Sequence, residues 1–145
     1  MKKIVVLILI LLLVGCKNKE TVCKVNIENN NYKYTATYKI YYKRNDVTKI
    51  IKKEKYETSN KEVYNYLKNY RELELETYNA KYGGYKYDMK LDREVITINT
   101  TIDASKIDAN KLVDDNVLSK YYVSKGKINI SGLKKYYESK SAVCE

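Results

Sequence analysis

From Cys23 onward apolar and polar positions alternate. Cys23, Val25 and Ile27 share one phase, and beyond "ENNN" Tyr34, Ala36, Tyr38, Ile40 and Tyr42 share one phase against Lys33, Thr35, Thr37 and Lys39. A period of two with tyrosine, isoleucine and threonine predicts strands, and the asparagine cluster suits their turn. A third strand is expected from Val47 to Tyr56 after the "RND" turn. Its pattern is ragged and lysine-rich, as befits an edge.

The rhythm then changes. Ser59 followed three residues later by Glu62 is a capping-box signature, and Val63, Tyr66, Leu67, Tyr70, Leu73 and Tyr78 fall close to one helical stripe. The helix should stop at "YGGY", where Gly83 or Gly84 can take the left-handed conformation. Tyr85, Tyr87, Met89 and Leu91 then alternate with Lys86, Asp88 and Lys90, "DR" makes a turn, and Ile96, Ile98 and Ile102 line the returning strand. From Asp103 the pattern is weakly helical, with Leu112, Val113, Leu118, Tyr121 and Tyr122 as inward positions. A short "KINI" strand precedes a last helix capped by Ser131, with Leu133, Tyr136 and Tyr137 pointing inward. Three strands, a long helix, two strands and a mostly helical remainder predict an α+β two-layer sandwich, an antiparallel sheet with helices packed on one face.

The first residues follow another logic. Lys2 and Lys3 precede an apolar run from Ile4 to Val14, which ends in Gly15 and Cys16. At the α-helical rise such a run reaches roughly 16 Å, about half of the ~30 Å hydrocarbon core a spanning helix must cross. This is the layout of an export signal. Leu13, Val14 and Gly15 before Cys16 resemble a bacterial lipobox, which makes residues 1–15 a signal peptide and Cys16 the site of a diacylglyceryl group. Two acyl chains anchor stably where one binds only marginally. Residues 16–22 then form a lipidated tether and 23–145 one domain. The expected address is the outer face of the cytoplasmic membrane.

Three cysteines leave two once Cys16 takes the lipid. Cys23 and Cys144 sit near the two ends of the mature chain, in a compartment where a disulfide persists. No Cys-x-x-Cys and no histidine lowers a thiol pKa, so a structural bridge is the better reading.

Composition narrows the chemistry. The chain has no histidine, proline, tryptophan or phenylalanine and seventeen tyrosines. Tyrosine therefore stands in for the missing aromatics, and its abundance says little about binding. Without histidine the Ser-His-Asp and Cys-His triads and the commonest transition-metal ligand are gone. Glu72 with Glu76 and Asp114 with Asp115 are the carboxylate pairs, better read as solvated faces and caps than as residues facing each other across a cleft. Asp103, Asp108, Asp114 and Asp115 lack the spacing and central glycine of an EF-hand loop, and Gly83 and Gly84 lack the rest of a phosphate loop. No catalytic residue, cofactor or metal ligand is therefore expected.

The formal charge is +10, falling to +8 without Lys2 and Lys3. Each basic residue near an anionic surface adds about 1 kcal/mol of attraction, so anionic lipid or wall polymer is the expected neighbour. Export argues against nucleic acid, although "YKYTATYKIYYK" interleaves cations and rings. Tyr41, opposite in phase to Tyr38, Ile40 and Tyr42, is the candidate exposed ring.

The cysteine pattern, "YGGYKYDM", "TTIDASKIDANKLVDDN" and the ending "GLKKYYESKSAVCE" together resemble the YehR-type family of small bacterial lipoproteins of unknown function. The resemblance implies a two-layer fold on a lipid anchor and carries over no catalytic residue. The expected function is a non-enzymatic, membrane-anchored interaction module of the envelope. The alternative is a lipoprotein holding a small molecule or glycan between sheet and helices.

Overall fold

The computed structural model describes residues 18–145, so Cys16 and the expected signal peptide lie outside the described residues. The elements are β1 (Lys19–Glu28), β2 (Lys33–Lys43), β3 (Asp46–Glu57), helix α1 (Lys61–Tyr82), β4 (Tyr85–Asp92) and β5 (Val95–Asp103). A 3-10 turn (Ala104–Lys106) leads to α2 (Ala109–Asp114), and a second (Lys120–Tyr122) leads to the small hairpin β6 (Val123–Ser124) and β7 (Lys127–Ile128). Helix α3 (Ile130–Glu138) and β8 (Ala142–Cys144) close the chain. The main sheet has the order β4-β5-β3-β2-β1-β8, and every neighbouring pair is antiparallel. This is the α+β architecture expected from the sequence, with β1 starting four residues ahead of Cys23.

Register explains the two layers. The covered face carries Cys23, Val25, Ala36, Tyr38, Ile40, Ile50, Ile96, Ile98 and Ile102, and these pack with the helices in two clusters. Leu67 and Leu75 of α1 sit with Ile96 and Ile98 of β5. Leu112, Leu118, Ile128, Leu133 and Tyr137 of the C-terminal segment sit with β1, β2 and the near end of β3. The other face alternates into solvent, with Lys24, Lys39, Lys49, Lys53, Lys55, Lys86 and Lys90 interleaved with threonine and asparagine.

Three expectations change. Strand β3 is central, between β2 and β5, rather than an edge. Its raggedness comes from Lys52 and Glu54 on the covered face, where each finds a place among the helices. The caps also move by one or two positions. Asn60, not Ser59, caps α1 by accepting from the amides of Glu62 and Val63. Asn129, not Ser131, caps α3 by accepting from Gly132 N, and the Ser131 hydroxyl donates to that same oxygen.

The third change is part of the face that α1 buries: Val63, Leu67 and Tyr78 pack inward as expected, and the rest of the stripe does not. Tyr66, Tyr70 and Leu73, expected inside, are 66%, 51% and 67% exposed. The inward row is Leu67, Arg71, Leu75, Tyr78 and Tyr82. Both rows have helical spacing, and Arg71 makes the true one look polar until its partner is known. Tyr121, also expected inside, is exposed.

The helix ends where the sequence says it should. Gly83 and Gly84 both take positive φ, and a Cβ on Gly84 would meet the Asp103 carbonyl oxygen at 2.8 Å. Thr100 on β5 is 2% exposed and its hydroxyl has no hydrogen-bond partner among the described residues. Thr100→Val, nearly isosteric, should therefore raise the unfolding free energy by about 1 kcal/mol. In a thermal scan this is a gain of about 4 °C, whereas a lower Tm would mean the hydroxyl has a partner in solution.

Candidate functional site

Charge and aromatic rings meet along the seam between the two apolar clusters. Glu54 of β3 points to the covered face and is 4% exposed. Arg71, one turn beyond Leu67 on α1, is carried to it by helical spacing. Its Nη2 donates to Glu54 Oε2 at 2.9 Å and its Nη1 donates to Glu74. The Tyr34 hydroxyl donates to Glu54 Oε1 at 2.9 Å and lies 2.7 Å from the Tyr38 hydroxyl, so Tyr38 donates to Tyr34. Both oxygens of the buried carboxylate are thus satisfied, which a buried charge requires. Burial works against the charge on Arg71, and the carboxylates of Glu54 and Glu74 outweigh it, leaving its pKa raised.

Beside this network a cavity of about 240 Å³ opens between sheet and helices. Its floor is Tyr38, Ile50, Lys52, Tyr85 and Ile102, and its walls are Arg71, Glu74 and Tyr78 of α1 facing Leu133, Tyr136 and Tyr137 of α3, with Lys140 beyond them. Tyr38 stacks on Tyr137 with centroids 4.4 Å apart, and Tyr78 tilts against Tyr85 at 5.8 Å. Burial holds the phenols of Tyr78, Tyr85, Tyr136 and Tyr137 above their usual pKa and pushes Tyr38 up to about 12. At neutral pH they are hydrogen-bond donors, not bases.

A second feature lies at one end of the strands. The β2–β3 turn supplies Lys43 and Arg44, and the β6–β7 turn supplies Lys125. Lys127 reaches Asp46 at 3.0 Å, and Asn45 O accepts from Ile130 N, which holds the two turns together. A groove of about 600 Å³ runs between them. Antiparallel pairing puts Lys19 opposite Tyr42 at this same end, and Lys106 joins from the 3-10 turn, 3.4 Å from Asp103. The end thus gathers six cations, Lys19, Lys43, Arg44, Lys106, Lys125 and Lys127, against Glu20, Asp46, Asp103 and Asp108. The opposite end reverses the sign, with Glu28, Glu57, Glu62, Asp92 and Glu94 against Lys33, Lys61 and Arg93. The domain is charge-polarised along its strands.

The residues singled out from sequence scatter. Cys23 and Cys144 are bonded. Glu72 and Glu76 are exposed on the outer side of α1 and do not meet. Asp103 caps the first 3-10 turn and Asp108 caps α2. Asp114 is exposed, while Asp115 accepts from Lys81 at 2.8 Å and from the Tyr82 hydroxyl at 2.7 Å, which holds its pKa below the usual carboxylate value. Among the described residues no group of three or more cysteine, aspartate or glutamate side chains could hold a metal ion. Tyr41 is on the open face, half-buried, with Lys49 5.9 Å from its ring. The sequence reading missed Lys52, Glu54 and Arg71. The signal for them was two charges at the inward phase of β3 and one inside the helical stripe.

No known sequence family and no curated protein matches this chain. Among solved structures, the NMR structure of Escherichia coli YehR is similar, with a TM-score of 0.59 and 19% identity, covering 90% of this chain and 92% of that one. The NMR structure of a protein from Streptococcus pneumoniae TIGR4 is also similar, with a TM-score of 0.53, 15% identity, and coverage of 89% and 86%. The YehR-type resemblance read from the sequence therefore holds for the fold.

Proposed function

We propose that the protein is a lipid-anchored envelope module that stands on the membrane through its basic end and works by binding rather than catalysis. The observation that carries this reading is the position of the six cations. They surround the end at which β1 begins, only three residues after Cys16. Three extended residues reach at most about 10 Å, close to the ~8 Å Debye length at physiological salt. A lipid on Cys16 would keep those cations where the surface potential is felt, and the acidic end would point away. Binding rather than catalysis is supported by the engagement of Glu54 and Glu74 with the same guanidinium, which leaves neither as a free acid or base.

The test uses a Cys16→Ser chain, which cannot be acylated. It should sediment with phosphatidylglycerol-containing vesicles, not with pure phosphatidylcholine, and come off at roughly 0.5 M salt as screening shortens to a few ångströms. Replacing Lys43, Arg44 and Lys125 by alanine together should weaken binding by about a hundredfold, at about 1 kcal/mol for each cation. Retention on neutral vesicles, or indifference to these substitutions, would sink the orientation. The lipid itself is tested by the mass of the chain extracted from its own membranes, which must exceed that of residues 16–145 by the diacylglyceryl group.

The tyrosine-walled cavity favours a second reading, in which the anchored domain also holds a small molecule between sheet and helices. A concave pocket with a few convergent polar groups is what such a carrier needs.

A further inference from the structure

Resting on that second reading, we propose that the cavity takes a small molecule bearing an anionic group, phosphate or carboxylate, on a ring-shaped body, with Lys52 as its charge partner. Lys52 stands in the middle of the sheet on the helix-covered face. Across the register its neighbours are Tyr38 on β2 and Thr100 on β5. A lysine there is expensive unless its ammonium meets a counter-charge or water.

No carboxylate among the described residues supplies that counter-charge. Among the described residues the ammonium forms no ion pair within 4.0 Å; it lies over the face of Tyr38, 5.7 Å from the centroid. The two carboxylates that could have answered it are held by Arg71. Lys140, which also lines the cavity, is likewise without an ion-pair partner among the described residues. The one acid in the cavity lining, Glu74, is held by Arg71, while Lys52, half-buried, and Lys140, at the solvent side, keep their charges unmatched, so a guest's complementary charge is negative.

The body of the ligand follows from the walls. The hydroxyls of Tyr34, Tyr38 and Tyr82 bond to protein groups. Those of Tyr78, Tyr85 and Tyr136 have no such partner among the described residues, so rings and donors both face a guest. Flat faces suit a sugar or aromatic ring, and a volume of about 240 Å³ lies below the usual drug-sized range of roughly 300–1,000 Å³. A polymer or an acyl chain does not fit that space. A free metabolite or the headgroup of a lipid would present the same chemistry.

The experiment titrates the full chain in detergent with phenyl phosphate, its neutral counterpart benzyl alcohol, and dihexanoyl phosphatidic acid, followed by calorimetry and tyrosine ring NMR. Expected is single-site binding of an anionic probe that shifts the rings of Tyr78, Tyr85 and Tyr136. Lys52→Met should weaken it about tenfold or more, as loss of a charge-assisted contact does. Lys52→Arg should retain most of it, and Lys53→Met, on the open face of the same strand, should change it less than about twofold. Binding of phenyl phosphate assigns a free metabolite; binding of the phosphatidic acid alone assigns a lipid headgroup. Benzyl alcohol binding as tightly as phenyl phosphate overturns the anion assignment and leaves the carrier reading standing. No saturable binding of any probe, or an anionic probe indifferent to both Lys52 variants, overturns the proposal, and the former takes the carrier reading with it. Near-ultraviolet circular dichroism of each variant separates lost binding from lost folding.

Discussion

Replacing Cys23 and Cys144 by alanine lowers the unfolding free energy by about 5 kcal/mol. The bridge joins residues 121 positions apart, so it closes nearly the whole described chain into one loop. Constraining so long a loop removes more entropy from the unfolded chain than a short one would, in the chain-entropy account. The local structure adds a reason. Strand β8 has three residues at the sheet edge, and it pairs with β1 at Cys23↔Cys144 and Val25↔Ala142. Two backbone hydrogen bonds between Val22 and Glu145, at 3.1 and 2.9 Å, complete the contact. So short a strand has little hold of its own, and α3, which carries Leu133 and Tyr137 into the core, leads directly into it. Urea unfolding of the oxidised and cysteine-free chains measures the difference, and the m-value should rise as the unlinked unfolded chain expands. A loss below about 1 kcal/mol would mean the bridge contributes little against the 5–15 kcal/mol typical of a whole domain.

The second large effect belongs to Arg71. Arg71→Met should destabilise the domain by about 3–5 kcal/mol, because it leaves the Glu54 carboxylate buried with the Tyr34 hydroxyl on Oε1 as its one remaining partner and no counter-charge. Adding Glu54→Leu to Arg71→Met should recover most of the loss, since two apolar groups packed together avoid the desolvation that two charges suffer. The thermodynamic cycle of the two single variants and the double variant isolates the coupling. Additive losses would show that the two side chains do not act on each other. The pair is therefore worth less as a source of stability than as a device that fixes which face of α1 meets the sheet.

That device explains what was hard to read. The two rows of α1 differ mainly in Arg71, and a reading by hydrophobicity prefers the row with Tyr66, Tyr70 and Leu73. The inward row wins because Glu54 lies opposite it on β3, a residue seventeen positions earlier whose partner no periodicity reveals. The same blindness made β3 look like an edge. A strand with a lysine and a glutamate at inward phase is a poor central strand until a cavity and a guanidinium are placed over it. Tyr121 and the two displaced caps are smaller cases, in which neighbouring residues of similar propensity compete and packing chooses between them.

Local alternation, the turn residues, the long helix and its glycine stop are nearest-neighbour properties, so the sequence by itself determined strands β1 to β5, the β4–β5 hairpin and the α+β class, whereas the short strands β6 and β8, too brief to show a period, were missed. The bridge is long-range, joining residues 121 positions apart, and the sequence suggested it only by setting Cys16 aside for the lipid, which leaves a single pair. Strand order, the central place of β3, the buried face of α1, the Lys52 cavity and the gathering of cations at one end are long-range. They follow from which side chains meet across the sheet, and only the tertiary structure brings those residues together.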